Sequence, residues 1–173
     1  EAGEEITGVP SGYRDLDRLT AQTVPHDPAS TDPAQKSRTS TFTYDAAGRV
    51  TAHTDPKGVL TQATDKDFAT FFGYDLLDRL TSQTRYEVDA NGAITKTVRA
   101  RSCYDLAGDI RSVTPAKGDA SFPGCPAAAT PYTPLAGNYT TSYTYDAAHN
   151  LLSTKDPLGR TQSVTYDANG DTD

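Results

Sequence analysis

What most constrains this chain is a tyrosine followed by a short turn-forming run, repeated six times. Related segments start at Tyr13, Tyr44, Tyr74, Tyr104, Tyr145 and Tyr166, and all but the first continue with Asp. Successive tyrosines stand 31, 30, 30, 41 and 21 residues apart, so a repeated unit governs the architecture. The shortest interval exposes the minimal unit. Asp146-Ala147-Ala148-His149 fits a type I turn whose first carboxylate accepts from the backbone and whose last residue takes positive φ. Across the copies that last position is Asp17, Gly48, Asp78, Gly108, His149 and Gly170, types that tolerate the left-handed region, and never a β-branched residue. Asn150 to Lys155 then run out as a strand. Asp156-Pro157-Leu158-Gly159 turns again, with Pro presetting φ, and Arg160 to Tyr166 return. Two strands of ordinary length and two tight turns fill the 21 residues.

The second turn recurs as Asp55-Pro56-Lys57-Gly58, loosens to Pro115-Ala116-Lys117-Gly118, and becomes Asp89-Ala90-Asn91-Gly92, where Asn-Gly is itself a hairpin signal. Chain direction therefore reverses every few residues, which predicts an all-β ribbon of antiparallel hairpins. Aromatics fall two apart before the turns, as Phe42/Tyr44, Phe72/Tyr74 and Tyr143/Tyr145, with Val164/Tyr166 the aliphatic version. Thr41/Thr43, Ser142/Thr144 and Ser163/Thr165 take the other face. Units stacked in register bring the tyrosines together as cross-strand or diagonal neighbours, at roughly 0.2–1 kcal/mol for each good pair.

Composition agrees once the repeat is known. Leu, Ile, Val and Phe make up roughly a sixth of the chain, below the ~20% at which disorder is suspected. A net charge of −7 over 173 residues is too small to enforce expansion. Asp outnumbers Glu 19 to 4, and there are 26 Thr and 10 Tyr, which is the chemistry of turns and pleated surfaces. No apolar run approaches the ~20 residues of a membrane span, and no basic cluster suits nucleic acid. With no initiator Met, leader or lipidation motif, the chain reads as an internal piece of something longer.

Tyr-Asp, two variable positions, Gly-Arg-Leu/Val-Thr and then Asp-Pro-x-Gly resembles the YD-repeat or Rhs (rearrangement hotspot) family. The resemblance covers Tyr13 to Gly170 and is fullest over Tyr44 to Gly58 and Tyr145 to Gly170; Arg14 departs from it in the first copy and His149-Asn150 in the fifth. It implies a spiralling single-layer β-sheet shell. Such shells enclose a toxin polypeptide in bacterial Rhs and toxin-complex proteins, and form the barrel of the adhesion teneurins. The resemblance thus implies a structural wall segment of a secreted or cell-surface bacterial protein, with neighbouring repeats and an enclosed toxin as partners. The alternative it offers is a glycan-binding adhesion module. The family's self-cleaving aspartyl protease core and toxin lie outside this segment, so no enzyme is expected here.

The residues expected to matter are those of the turns: Tyr44, Asp45 and Gly48; Asp55, Pro56 and Gly58; Tyr74 and Asp75; Tyr104, Asp105 and Gly108; Tyr145 and Asp146; Asp156, Pro157 and Gly159; and Tyr166, Asp167 and Gly170. Each Asp has a turn role, so no catalytic carboxylate pair is assigned. His26, His53 and His149 are isolated and read as solvated or turn histidines, without metal-ligand spacing. Asp167 to Asp173 alternates oxygen ligands like the start of a calcium loop, but Gly170 falls at position four where such a loop needs it at six. No cofactor is expected. Cys103 precedes Tyr104 in a strand, and Cys125 lies in the Pro/Ala-rich insertion 119–138, which accounts for the 41-residue interval. A disulfide there removes roughly 3 kcal/mol of loop entropy from the unfolded chain; two free thiols in a reducing compartment are the alternative. The insertion reads as a surface excursion, and a second Pro-rich stretch, Val24 to Pro33, interrupts the first unit. Asn138-Tyr139-Thr140 is a glycosylation sequon, relevant in a eukaryotic source.

Overall fold

The computed structural model describes residues 13–14, 18–27, 29–32, 37–57, 65–122, 124–125, 139–167 and 169–172. All regular structure there is β, apart from two 3-10 segments, Asp65–Phe68 and Ala116–Ser121, and a helical turn at Pro56 and Lys57. The strands are β1 (Tyr13–Arg14), β2 (Arg18–Leu19), β3 (Ala21–Pro25), β4 (Ser37–Tyr44), β5 (Val50–Thr54), β6 (Ala69–Tyr74), β7 (Leu80–Val88), β8 (Ile94–Tyr104), β9 (Ile110–Thr114), β10 (Thr141–Tyr145), β11 (Leu151–Lys155) and β12 (Thr161–Ser163). β1 and β2 pair as a small hairpin, while β3 to β12 follow one another in a sheet in chain order. Contacts divide the chain into two compact units, residues 1–78 with 84–97, and residues 79–83 with 98–173.

Turn chemistry explains this order. Gly48, Asp78, Gly108, His149 and Gly170 have φ of 89°, 63°, 107°, 67° and 85°. In the turn at Asp45, the Gly48 N–H donates to the Asp45 carbonyl (3.0 Å) and the Asp45 N–H to the Arg49 carbonyl (3.0 Å). This is a type I turn closed by a left-handed residue, and the extra residue appears as a bulge beside Tyr44, Tyr104 and Tyr145. Asp156 to Gly159 and Asp89 to Gly92 close the same way, with φ of 84° and 80° at the glycines.

Two expected hairpin turns are built differently. At Asp55 the N–H donates to the Phe68 carbonyl, 13 residues on, because Pro56 suits the first turn of a helix and draws Lys57 in after it; Gly58 lies outside the described residues. At Pro115 the chain enters the 3-10 segment Ala116–Ser121, with the Gly118 N–H on the Pro115 carbonyl at 2.8 Å. A Cβ on Gly118 meets Thr114 Cγ2 at 2.9 Å and the Tyr139 backbone N at 3.1 Å, so a side chain there has no room.

The interior is made of hydroxyls. Among the described residues, Ala69 and Cys103 are the buried hydrophobic side chains, against Thr70, Thr84, Ser112, Thr114, Thr140 and Ser142. Thr114 and Thr140 are fully buried and share a 2.6 Å hydrogen bond. Thr23 with Thr39 (2.7 Å) and Thr144 with Ser153 (2.7 Å) bond directly across strand pairs. The first part of the insertion folds onto this hydroxyl face. Cys103 and Cys125 are joined by a disulfide, and Arg101 binds Asp119 at 2.6 Å while its guanidinium covers the Phe122 ring at 4.7 Å. The expected surface excursion is therefore anchored at its start; its residues 126–138 lie outside the described ones.

Ser112 Oγ is buried and has no hydrogen-bond partner among the described residues. Ser112→Ala removes the desolvation cost of that hydroxyl and should stabilise the chain by about 1 kcal/mol. Thr114→Val breaks the Thr114–Thr140 bond and should cost about the same. Urea denaturation of the two variants, moving in opposite directions, checks the assignment.

Candidate functional site at the repeat seams

The turn residues form joints between repeats, and each joint starts from an aspartate that fixes its own turn. Asp146 Oδ1 accepts from the N–H groups of Ala148 (2.8 Å) and Asn150 (2.9 Å), and Asp167 Oδ1 from those of Asn169 (2.8 Å) and Asp171 (3.0 Å). Asp45 accepts from the Arg49 N–H at 3.0 Å, and Asp105 from those of Gly108 and Asp109. Asp75 Oδ1 accepts from the Leu77 N–H. These bonds favour the charged carboxylate. The backbone N–H of Arg49 holds Asp45 below the usual carboxylate range, that of Asn150 does so for Asp146, and that of Asp171 for Asp167. Asp156 is also lowered: burial opposes its ionisation, but bonds from Arg160 outweigh it.

Tyr44, Tyr74, Tyr104 and Tyr166 each reach the preceding repeat. Tyr44 Oη donates to the Leu19 carbonyl (2.7 Å), Tyr74 to Val50 (2.9 Å), Tyr104 to Leu80 (3.0 Å) and Tyr166 to Leu151 (3.1 Å). Each acceptor is the second residue past the fourth turn position. The residue between them is the other half of the joint. Arg18, Arg49 and Arg79 donate to the carbonyls of Asp45 (3.3 Å), Asp75 (3.0 Å) and Asp105 (2.6 Å), the first turn residues of the next repeat. Their guanidinium groups lie 5.7, 5.0 and 4.7 Å from the ring centres of Tyr44, Tyr74 and Tyr104. Arg49 adds ion pairs with Asp45 and with Asp78, both at 2.7 Å.

Arginine thus covers tyrosine where tyrosine pairs were expected. The ring contacts among the described residues are Phe42 on His53, stacked at 4.8 Å, and Phe71 with Tyr86 at 5.5 Å. His53 is a strand residue stacked on Phe42, with about a third of its side chain still exposed. The arginines were missed although their signal was present: Arg18, Arg49 and Arg79 each follow their tyrosine by five residues.

The fourth seam departs from this pattern. Asp109 stands where the arginine would be, and His149 Nδ1 meets its carboxylate at 2.7 Å. Here a cleft of about 290 Å³ opens, lined by Asp105, Asp109, Arg111, Tyr143, Tyr145 and His149 among others. Tyr145 is half-buried, and burial, then the Asp109 charge, raises its pKa. Two of the cleft's carboxylates, Asp105 and Asp146, are engaged by turn amides. No group of three or more His, Cys, Asp or Glu is placed to hold a metal among the described residues, and Asp167 points into its own turn. Asp156, Pro157 and Gly159 close β11 onto β12, and Tyr166 bridges to Thr172. No described helix is long and apolar enough to cross a membrane.

The RHS repeat family profile matches residues 13–60, 135–161 and 145–171. No curated protein matches the chain. Among solved structures, a complex of TcdB2-TccC3 with Cdc42 is 15% identical over 79% of this chain, with a TM-score of 0.26. TcdB2-TccC3 without its hypervariable C-terminal region is 14% identical over 91%, at 0.27. The Photorhabdus luminescens Tc holotoxin pore with a TccC3 D651A mutation is 16% identical over 79%, at 0.21. The chain spans 10–11% of the length of these solved chains, and TM-scores so low establish no common function.

Two outcomes follow from the seam geometry. Tyr74→Phe removes one bond across a seam while keeping the ring under Arg49, and should cost about 1 kcal/mol in urea denaturation. Acid should unfold the chain through its turn carboxylates. Their folded pKa values lie below the ordinary 3.8, so their stabilisation is complete above 3.8 and is lost as pH falls through the lowered values. Circular dichroism during acid titration, compared with Asp146→Asn, reads that loss; an unchanged acid midpoint in the variant contradicts it.

Proposed function

From membership of the RHS repeat family, to which this chain belongs as a structural repeat segment, we propose that it builds part of the wall of a β-shell enclosing a passenger polypeptide. The observation that carries this reading is the seam. Three successive repeats end in the arginine and carbonyl that receive the next turn, at Arg18 to Asp45, Arg49 to Asp75 and Arg79 to Asp105. Such a joint propagates without a specialised partner and suits a surface assembled from many copies. Strand faces rich in Thr and Ser favour containment, since they offer an unfolded chain little apolar surface to adhere to.

The passenger of this reading is a toxin polypeptide from the same bacterial gene. The setting is secreted or cell-surface, where the Cys103–Cys125 disulfide persists. Units beginning near Tyr13, Tyr44, Tyr74, Tyr104, Tyr145 and Tyr166 act as successive wall elements, with 119–138 as an insertion on one of them. A glycan-binding adhesion module, the other expectation, requires a ligand that this fragment captures by itself.

The test is expression of the whole gene that encodes this segment, with limited proteolysis of its product. Protection of the passenger until the wall is breached is expected, with earlier digestion when Arg49→Ala and Arg79→Ala weaken two seams. A gene with no further repeats, or a passenger cut at the same rate with and without the wall, overturns the reading. Capture of glycans on an array by this fragment favours the adhesion module instead.

A further inference from the structure

The seam between the fourth and fifth turns carries its charges in reverse. At the seam after Asp45, the residue past the left-handed position is a cation, Arg49, and the left-handed residue of the next turn is an anion, Asp78. At the fourth seam those two positions are occupied by the anion Asp109 and the imidazole His149, whose Nδ1 and Oδ2 lie 2.7 Å apart. Position, reach and turn geometry correspond, and the sign is exchanged. An arginine holds its charge at every pH a protein meets, whereas an imidazole does not.

We propose that the Asp109–His149 contact is a pH-set clasp on this one seam, gripping when the imidazole is protonated and slackening as it loses its proton. The groups facing His149 support a cationic ring. Asp105 and Asp109 approach from the β8–β9 turn and Asp146 from its own turn, while Tyr143 and Tyr145 of β10 and the guanidinium of Arg111 on β9 line the same cleft. Three carboxylates therefore face one guanidinium. Asp109 is the carboxylate bonded to the ring; Asp105 and Asp146 hold turn amides and act through space.

The direction follows from linkage. The Asp109 hydrogen bond, and then its charge, raises the His149 pKa above the ordinary 6.5 against the opposing effect of burial. A group raised on folding contributes fully below its unfolded value, so the clasp is complete below 6.5 and fades as pH rises through the higher folded value. A neutral ring with hydrogen on Nδ1 still donates to Asp109, so what fades is the ion pair, and the seam slackens without parting. The Arg49 and Arg79 seams carry no such dependence. An acidic compartment therefore tightens one joint, and an alkaline one relaxes it.

The experiment is an NMR titration of the imidazoles of the whole chain, with Asp109→Asn and the exchange variant Asp109→Arg/His149→Asp. The His149 midpoint is expected above 6.5 and should fall toward it in Asp109→Asn, while the ring signals of His26 and His53 keep their positions and report an intact fold. The exchange variant restores the arginine pattern. Its Asp146 to Asn150 amides should then lose the extra opening that the unaltered chain shows as pH rises through the His149 transition, measured by hydrogen exchange after correction for intrinsic rates. A His149 midpoint at or below 6.5, a midpoint unmoved by Asp109→Asn, or the same pH-dependent opening in the exchange variant overturns the proposal.

Discussion

The structure depends on one carboxylate at the start of the turns that follow Tyr44, Tyr74, Tyr104, Tyr145 and Tyr166. An aspartate that accepts from amides two and four residues ahead fixes the loop, and the left-handed residue before the second amide then sets the exit of the strand. Everything that joins repeats is hung on that exit. Had the turn closed one residue earlier, the arginine or its substitute would face the opposite side of the sheet, because strand side chains alternate. Tyr74, Val50, Arg49 and Asp75 meet only because two such turns hold their strands at the same offset.

The seams also show how a repeat tolerates variation. The backbone carbonyls that receive tyrosine and arginine belong to every residue type, so the fixed side of each joint makes no demand on sequence. The variable side is one position past the turn. There, Arg49 closes the joint with hydrogen bonds, ion pairs and a covered ring, whereas Asp109 leaves a cleft and engages a histidine from the neighbouring turn. Individual joints can therefore differ in strength and in response to conditions without altering the path of the chain.

Much of this was legible in the residues, and the limits have physical causes. The left-handed positions at Gly48, Asp78, Gly108, His149 and Gly170 could be read because backbone strain there restricts residue type, and the strand alternation followed from the two-residue period. What could not be read was contact across strands. A local pattern locates Arg49 one residue past its turn but does not state which repeat it faces, so tyrosine pairing was expected where arginine intervenes. Asp55-Pro56 misled for a related reason: proline presets the same φ in a tight turn and in the first turn of a helix, and the choice rests on residues further along. The state of Cys103 and Cys125 was open because 22 positions of separation do not fix a distance, which the path of Ala116–Ser121 and Phe122 across β8 supplies.

An interior lined by Thr114, Thr140, Ser112 and Ser142 in place of leucine alters how the fold responds to temperature. The heat capacity of unfolding grows with exposed apolar area and is reduced by exposed polar area. A sheet with so little hydrocarbon buried among its described residues has a shallow stability curve with gentle flanks. Warming and cooling then change its hold far less than they would for an oily domain of equal length, and its resistance to denaturation is governed by hydrogen-bond geometry more than by the temperature of the water around it.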